Sequence, residues 1–224
     1  MSAVGASLQR PHVFLPATDV APTGPPLLLL HGTGGDERDL LPLAQGFGPG
    51  VNVLSVRGNG SEGGMPRFFR RLGMGVFDED DVRFRTHELA AFLAQVSQQE
   101  GFDAAQVVAV GYSNGANIAG SLLLLYPDLL AGAVLWRPMQ PLTRDVPTVP
   151  TTRRAPVFFN PGSRDPTVDP AATDRYAALL AGAGFQLTRH DTPAGHNLTQ
   201  ADADGGISWF RQHFAAPAAP DPTR

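Results

Sequence analysis

The chain has 224 residues, 42% of them apolar, and a formal net charge of −4. That length can bury one sizeable core, and no change in composition indicates a second one, so we expect a single domain over residues 1–214 and a flexible tail at 215–224. The seventeen basic residues are all arginine and form no basic block, which argues against a nucleic-acid partner. The absence of cysteine excludes disulfides, thiolate nucleophiles and cysteine-based metal sites.

The N-terminal segment has neither the basic start nor the continuous apolar run of a signal peptide. The apolar run LLLL at 27–30 is far too short to span a bilayer. We therefore expect a cytoplasmic protein that has no membrane partner.

Short runs of β-forming residues alternate along the chain with helical segments, which indicates an α/β fold. The central runs are continuously apolar, as in parallel strands that helices cover on both faces. We therefore expect a mostly parallel central sheet of about seven strands, flanked by helices on both faces, with little or no cap domain. The predicted strands are His12–Leu15, Leu27–His31, Val51–Val56, Val107–Tyr112, Ala133–Trp136, Val157–Asn160 and Gln186–His190. The predicted helices are Arg38–Gly46, Asp81–Gln99, Asn114–Tyr126, Pro170–Ala183 and Ala201–Phe214.

The second predicted helix has the clearest periodicity, because its apolar residues recur at spacings of three and four. Asp80 and Asp81 stand at its start, where acidic side chains favour the positive end of the helix dipole, and Gly101 is placed to end it. Two segments, 58–79 and 137–155, fit no strand or helix pattern, and we interpret both as loops. The second is rich in proline and could act as a small lid over a site at the strand ends.

The stretch from Gln106 to Gly120 carries the strongest functional signal. A run of β-forming residues leads into GYSNG, in which Gly111 and Gly115 stand two residues on either side of Ser113. A strand-to-helix turn of this kind needs glycines there, because the bend leaves no room for side chains. The pattern predicts a nucleophile elbow that exposes the Ser113 hydroxyl at the edge of the sheet. An incidental glycine-rich turn is the alternative.

A serine hydroxyl is a weak nucleophile near neutral pH and needs a base that a third group holds in the right tautomer. Where such an elbow occurs, the acid and the histidine follow the serine in that order, each after a later strand. His196 lies in a loop after the last predicted strand, whereas His190 falls within that strand and His213 within the final helix. We therefore predict that His196 is the base.

Four aspartates lie in the part of the chain where the acid is expected. Asp165 follows the predicted strand 157–160 through a short loop, so its carboxylate can accept the second N–H of the imidazole. Asp169 precedes Pro170 and a helical pattern, which favours a role as N-cap. Asp174 and Asp191 are further alternatives, the latter because it ends a strand just before the histidine loop. We predict Asp165 as the acid.

Acyl transfer also needs donors for the oxyanion, and backbone N–H groups suit because they are fixed before the reaction. One donor is expected from Asn114, directly after the serine, and the second from Thr33 in the glycine-rich loop after an early strand. That loop could instead cradle a phosphate, but it lacks the Walker lysine and the G-x-G-x-x-G spacing. No histidine pair has metal-binding spacing, so we expect metal-independent chemistry without a cofactor.

The motifs LHGTGGD at 30–36, GYSNG at 111–115, Asp165-Pro166 and Gly195-His196 together resemble those of the phospholipase/carboxylesterase family of α/β-hydrolases. The resemblance spans nearly the whole chain. Further motifs look like those of the branch of small bacterial hydrolases associated with the hydroquinone response, and these are VRGN at 56–59, GMPRFFRR at 64–71, GVFD at 75–78 and RTHEL at 85–89.

The resemblance implies the α/β-hydrolase fold and a serine carboxylesterase that hydrolyses small-molecule carboxylic esters. It implies a triad of Ser113, His196 and Asp165, an acyl-enzyme intermediate, and an oxyanion hole formed by Thr33 and Asn114. Relatives often have glutamine where this chain has Asn114. Neighbouring dienelactone hydrolases normally use cysteine as nucleophile, which argues against that identity. Thioesterase or lysophospholipase activity at the same site is an alternative, as is a low-turnover ligand-binding protein on the same fold.

The aromatic pair Phe68 and Phe69 is predicted as substrate-binding, in the wall of an acyl pocket, with a place in the core as the equal alternative. Arg67, Arg70 and Arg71 could meet an anionic substrate at the mouth of the site, although a solvated helix face is the favoured interpretation. The sequence leaves the oligomeric state open, with a homodimer among the options.

Overall fold

The computed structural model describes residues 9–18, 23–147 and 150–214, and the predicted tail at 215–224 lies outside them. Its main sheet has seven strands, and five helices lie along the described chain. The strands of the main sheet are β1 (His12–Leu15), β2 (Leu27–Leu30), β3 (Val53–Val56), β8 (Val108–Tyr112), β9 (Gly132–Trp136), β10 (Pro156–Asn160) and β11 (Gln186–Arg189). The helices are α1 (Leu41–Phe47), α2 (Glu79–Glu100), α3 (Asn114–Leu125), α4 (Pro170–Gly182) and α5 (Gln200–Phe214).

Every predicted strand and helix is confirmed, and the ends differ from the prediction by at most three residues. The largest difference is at α1, which begins at Leu41 because Pro42 occupies its first turn, where the fixed φ of proline favours a helix start. Asp78 caps α2 by accepting a hydrogen bond from the Asp81 N–H, and Gly101 ends that helix at φ 74°.

The strand order is β1-β3-β2-β8-β9-β10-β11. Only β1, at one edge, runs antiparallel to its neighbour, so the predicted mostly parallel sheet is confirmed. The side chains of β2 show how the sheet divides the core. Leu28 and Leu30 face a cluster formed with α2, α3 and α4, whereas Leu27 and Leu29 face a second cluster formed with α1 and α5. The carboxyl ends of the parallel strands therefore meet at one edge, where ligand sites form in sheets of this kind.

The interpretation of residues 58–79 as a loop is wrong. The segment forms two hairpins, β4 (Gly60–Glu62) with β5 (Met65–Arg67) and β6 (Arg71–Gly73) with β7 (Val76–Phe77). The turn of the first contains Gly63 and Gly64, both at positive φ, as a tight hairpin turn requires. Strands of two or three residues are too short to show a period of two, which is why the sequence pattern did not reveal them. Arg67 and Arg71 therefore lie in strands, and the interpretation as a solvated helix face is wrong for both.

The interpretation of residues 137–155 as a loop is confirmed for the part that the structure describes. Glu79, at the start of α2, accepts hydrogen bonds from the N–H and hydroxyl of Thr143 and from the N–H of Arg144. Near the other end, Asp128 accepts hydrogen bonds from Thr151 and Thr152. These contacts fasten the segment to the body of the fold. No helix among the described residues is long and apolar enough to cross a membrane.

Candidate active site

Ser113 lies between the end of β8 and the start of α3, in a strained turn. Its φ of 53° and ψ of −114° are unusual for a residue that carries a side chain. A Cβ on Gly115 would lie 1.9 Å from the Leu30 carbonyl oxygen, and one on Gly111 would lie 2.5 Å from the Gly115 carbonyl oxygen. Only glycine fits at these two positions, so the local backbone is that of a nucleophile elbow.

The structure brings Ser113, His196 and Asp165 into one chain of hydrogen bonds. The Ser113 Oγ lies 2.8 Å from His196 Nε2, and His196 Nδ1 lies 2.6 Å from Asp165 Oδ2. A carboxylate oxygen can only accept, so the imidazole carries its proton on Nδ1 and leaves Nε2 free to accept the serine proton. The arrangement can therefore activate Ser113 as a nucleophile.

The environment of Asp165 keeps its carboxylate ionised. Burial raises the pKa of Asp165, but hydrogen bonds from Thr167 and His196 outweigh that effect and hold the pKa below its usual range. The second carboxylate oxygen, Oδ1, accepts from the Thr167 hydroxyl at 2.6 Å and from the Thr167 N–H at 2.9 Å. These bonds fix the carboxylate so that Oδ2 faces the imidazole. The sequence analysis did not identify Thr167.

The other candidate acids and bases lie away from this chain of contacts. Asp169 caps α4 by accepting from the Ala171 N–H, as the sequence predicted. Asp174 and Asp191 both pair with Arg189 on the surface. His190 packs against Phe158, and His213 contacts the Trp209 carbonyl oxygen within α5.

A buried ion pair holds the loop that carries His196. Arg137 and Asp202 are fully buried, and Nη2 of Arg137 lies 2.5 Å from Oδ2 of Asp202. The same guanidinium donates from Nε to the Gly195 carbonyl oxygen at 2.8 Å and from Nη2 to the Asn197 carbonyl oxygen at 3.3 Å. It thus binds the chain on both sides of His196. The sequence analysis missed Arg137, since nothing in the pattern links it to a partner 65 residues away.

Tyr112 adds a third contact to the same loop. Its hydroxyl donates to the His196 carbonyl oxygen at 3.0 Å, and its ring lies against the imidazole with centroids 5.8 Å apart. Burial raises the pKa of the Tyr112 hydroxyl, so it stays protonated and keeps its donor role. The backbone of His196 is therefore fixed independently of its side chain.

The predicted oxyanion donors, Thr33 and Asn114, both line the cavity beside Ser113. Asn114 is the first residue of α3, so its N–H has no partner within the helix. Among the described residues, none accepts a hydrogen bond from the Thr33 N–H. Buried His31 orders the loop: its Nε2 accepts from the Gly58 N–H at 3.0 Å, so its Nδ1 donates to the Gly32 carbonyl oxygen at 2.6 Å.

The neutral state of His31 follows from the same contacts. A ring nitrogen that accepts from a backbone N–H cannot be protonated, and burial lowers the pKa of His31. This histidine thus joins the loop after β2 to the segment after β3 without adding a charge. The sequence analysis quoted His31 in a motif but assigned it no role.

A cavity of about 270 Å³ opens at this edge of the sheet. Met74, Phe77 and Met139 supply apolar wall, while Ser113 and His196 lie at its polar end. The prediction that Phe68 and Phe69 wall an acyl pocket is not supported. Their exposed fractions are 2% and 0%, they belong to the core, and neither lines the cavity.

The two phenylalanines contact residues of the site without lining the cavity themselves. The Phe68 N–H donates to Asn114 Oδ1 at 2.7 Å, and the Phe68 ring contacts His31 with centroids 4.8 Å apart. Phe69 packs edge-on against Phe77, which does line the cavity. Across residues 9–18, 23–147 and 150–214, no group of three or more histidine, aspartate or glutamate side chains could hold a metal ion.

Comparisons with known proteins identify the family and the fold. A family model described as alpha/beta hydrolase fold matches residues 25–179. The "Putative hydrolase MhqD" of Bacillus subtilis (strain 168) is 44% identical over 186 residues, which cover 83% of this chain and 92% of that protein.

Two solved structures of carboxylesterases have similar folds. The Bacillus cereus carboxylesterase superposes with a TM-score of 0.86 at 45% identity, covering 91% of this chain and 94% of the other. A carboxylesterase from Mesorhizobium loti superposes with a TM-score of 0.82 at 30% identity, covering 89% of this chain and 93% of the other.

Proposed function

The chain belongs to the α/β-hydrolase family and is a carboxylesterase-like hydrolase, and on that basis we propose that it hydrolyses carboxylic esters by a serine mechanism. The observation that carries the proposal is the hydrogen-bonded chain from Ser113 through His196 to Asp165 at the polar end of a cavity. This arrangement of nucleophile, base and acid supports acyl transfer as the reaction.

In the proposed mechanism His196 Nε2 takes the Ser113 proton while Oγ attacks the ester carbonyl. Asp165 stays ionised and stabilises the imidazolium that forms. His196 then gives the proton to the departing alcohol, which leaves an acyl group on Ser113. Water enters, loses a proton to His196 and releases the acid through the same steps in reverse. We expect ping-pong kinetics, because the acyl group is held on Ser113 between the two half-reactions.

The negative charge that develops on the carbonyl oxygen needs fixed donors. We assign the N–H groups of Thr33 and Asn114 to this role, because both residues line the cavity and neither N–H is committed to a partner among the residues described. Such donors are typically worth about 10²- to 10³-fold each in turnover. His31 supports the first of them by ordering its loop.

Turnover of p-nitrophenyl butanoate tests the proposal. Ser113→Ala, His196→Ala and Asp165→Asn are each expected to lower kcat by about 10⁴-fold or more. Ser208→Ala is the control, because Ser208 is exposed on α5, on the other side of the sheet from the cluster that contains α3. Undiminished activity in Ser113→Ala would overturn the mechanism. If only Asp165→Asn kept its full activity, another residue would have to be the acid of the triad.

A panel of substrates separates the narrower alternatives. Matched acyl esters and acyl thioesters of increasing chain length distinguish a carboxylesterase from a thioesterase or lysophospholipase that uses the same site. A burst of p-nitrophenol without steady turnover would favour a ligand-binding protein that has kept the fold. The cytoplasmic location and the single domain remain predictions, and a homodimer remains one option for the oligomeric state.

A further inference from the structure

Two arginines from the hairpins face the same cavity as Ser113. Arg67 ends β5 and Arg71 begins β6, and both line the cavity wall. Among the residues of that wall, none is an aspartate or glutamate. Asp165 lies behind His196 with a fully buried side chain. The cavity wall therefore carries two guanidinium groups and no carboxylate.

The two guanidinium groups share a single carboxylate. Arg71 donates to Glu62 Oε1 from Nε at 3.0 Å and from Nη2 at 2.8 Å, while Arg67 Nη1 lies 3.0 Å from Glu62 Oε2. One negative charge cannot neutralise two cations, so the cluster keeps an excess of one positive charge. An anion that entered the cavity would restore the balance.

Arg67 is an unusual residue to find in this position, because its side chain is only 3% exposed. Its Nε donates to the Phe69 carbonyl oxygen, and its Nη1 forms the ion pair with Glu62. Burial lowers the pKa of Arg67, although a guanidinium remains charged in the working range. Burying a cation is costly, and an anion in the cavity would add to what the shared Glu62 carboxylate supplies.

Two asparagines on α3 line the same cavity. Asn114 is 2% exposed, its Oδ1 accepts from the Phe68 N–H, and its buried Nδ2 has no hydrogen-bond partner among the described residues. Asn117, one turn after Ser113, uses its Oδ1 to accept from the Met139 N–H, which leaves its amino group for the cavity. The site thus has several donors and an excess positive charge, as recognition of a carboxylate requires.

We propose that the substrate is an ester that also carries a free carboxylate, which Arg67 and Arg71 bind while the ester lies at Ser113. Met74, Phe77 and Met139 then contact the hydrocarbon between the two groups. This assignment rests on the proposed esterase function and narrows its substrate to monoesters of dicarboxylic acids or esters of carboxylate-bearing alcohols. The two classes differ in which half of the ester holds the charge.

The test compares charged and neutral esters by pH-stat. Monomethyl adipate against methyl hexanoate reports on a carboxylate in the acyl half, and 4-carboxyphenyl butanoate against phenyl butanoate on one in the alcohol half. The wild type is expected to favour the charged member of at least one pair by about tenfold or more in kcat/KM. Arg71→Gln is expected to remove most of that preference, and Glu62→Gln to increase it because it removes the competing anion.

The matched control is Arg70→Gln. Arg70 lies between the other two arginines in sequence, but it is 70% exposed, pairs with Asp78 and does not line the cavity. Its loss is expected to leave the preference of the wild type unchanged. If Arg70→Gln and Arg71→Gln had equal effects, the preference would depend only on the net charge of the protein, and the assignment would be overturned.

Calorimetric titration with adipate examines the carboxylate site without turnover. Adipate is expected to bind the wild type and to bind Arg71→Gln at least about tenfold more weakly. If neutral and charged esters are hydrolysed equally well, the carboxylate site is refuted while the esterase function stands. If no ester is hydrolysed but adipate binds in an Arg71-dependent way, the esterase function fails and the carboxylate site stands. Absence of adipate binding to the wild type would overturn the site directly.

Discussion

Removal of the Arg137 guanidinium is expected to weaken both the fold and the site. In Arg137→Met the apolar side chain has similar reach but no donors, so the fully buried Asp202 carboxylate loses its cationic partner. It retains hydrogen bonds from the N–H and hydroxyl of Thr199, which do not cancel its charge. The carbonyl oxygens on both sides of His196 also lose a donor.

Breaking a buried pair by removing one partner typically costs about 3–5 kcal/mol. That is a large share of the roughly 5–15 kcal/mol that stabilises an ordinary domain, and it corresponds to a fall in Tm of about 10 °C for a chain of this size. The free energy of unfolding can be measured by urea titration, with Trp136 and Trp209 as fluorescent reporters, since both are buried. In the fraction that stays folded, kcat is expected to fall about tenfold or more because the His196 loop is less well fixed.

The double variant Arg137→Met/Asp202→Asn supplies the control. It removes the unpaired charge but keeps an acceptor for Thr199, so it is expected to recover at least half of the lost free energy of unfolding. Its kcat should stay low, because Gly195 and Asn197 remain without their donor. The reasoning is refuted if Arg137→Met unfolds within about 1 kcal/mol of the wild type, or if the double variant is no more stable than the single one.

Three other predictions concern the same framework. Burial raises the pKa of Asp202, but hydrogen bonds from Arg137 and two threonines outweigh that effect and lower it to about 2. About 2 kcal/mol of stability that is present above pH 4 should therefore disappear between pH 4 and 2. An acid titration in which Asp202→Asn loses as much stability as the wild type would contradict this. Gly115→Ala should lower the free energy of unfolding by about 3 kcal/mol or more, because the added Cβ would collide with the Leu30 carbonyl oxygen. Gly182→Ala has open space around it and should raise the free energy of unfolding by about 0.5–1 kcal/mol. Equal free energies of unfolding for the two variants would refute the steric argument. The buried Tyr176 hydroxyl has no partner in the part of the chain that the structure describes, so Tyr176→Phe should be neutral or stabilising by about 1 kcal/mol in urea titration. A loss of about 2 kcal/mol would contradict this.

The main sheet could be predicted because its central strands are continuously apolar and alternate with helical segments. The serine, acid and histidine could be located because parallel strands deliver their carboxyl ends to one edge, so residues far apart in sequence meet there. Gly111 and Gly115 marked the elbow through a steric requirement that acts within five residues. The sequence is sufficient to predict a feature that depends on neighbouring residues, such as the elbow, or on the parallel sheet, such as the meeting of the strand ends.

Long-range polar pairing could not be predicted. In the sequence Arg137 is the first residue of a proline-rich segment. In the structure it adopts a φ of 54°, and its guanidinium forms a buried ion pair with Asp202. Only the three-dimensional packing of α5 against the end of β9 makes that pair visible. Arg67 was likewise treated as a surface residue, because its burial depends on hairpins of two and three residues that carry no periodic signal.

The proposed role of Ser113 as a covalent nucleophile is tested most directly by the mass of the protein after reaction with a fluorophosphonate. The wild type is expected to gain one adduct, mapped by peptide sequencing to Ser113, while Ser113→Ala gains none under the same conditions. His196→Ala should label far more slowly, because the serine loses its base. An adduct at any other residue, or equal labelling of the wild type and Ser113→Ala, would contradict the proposed mechanism.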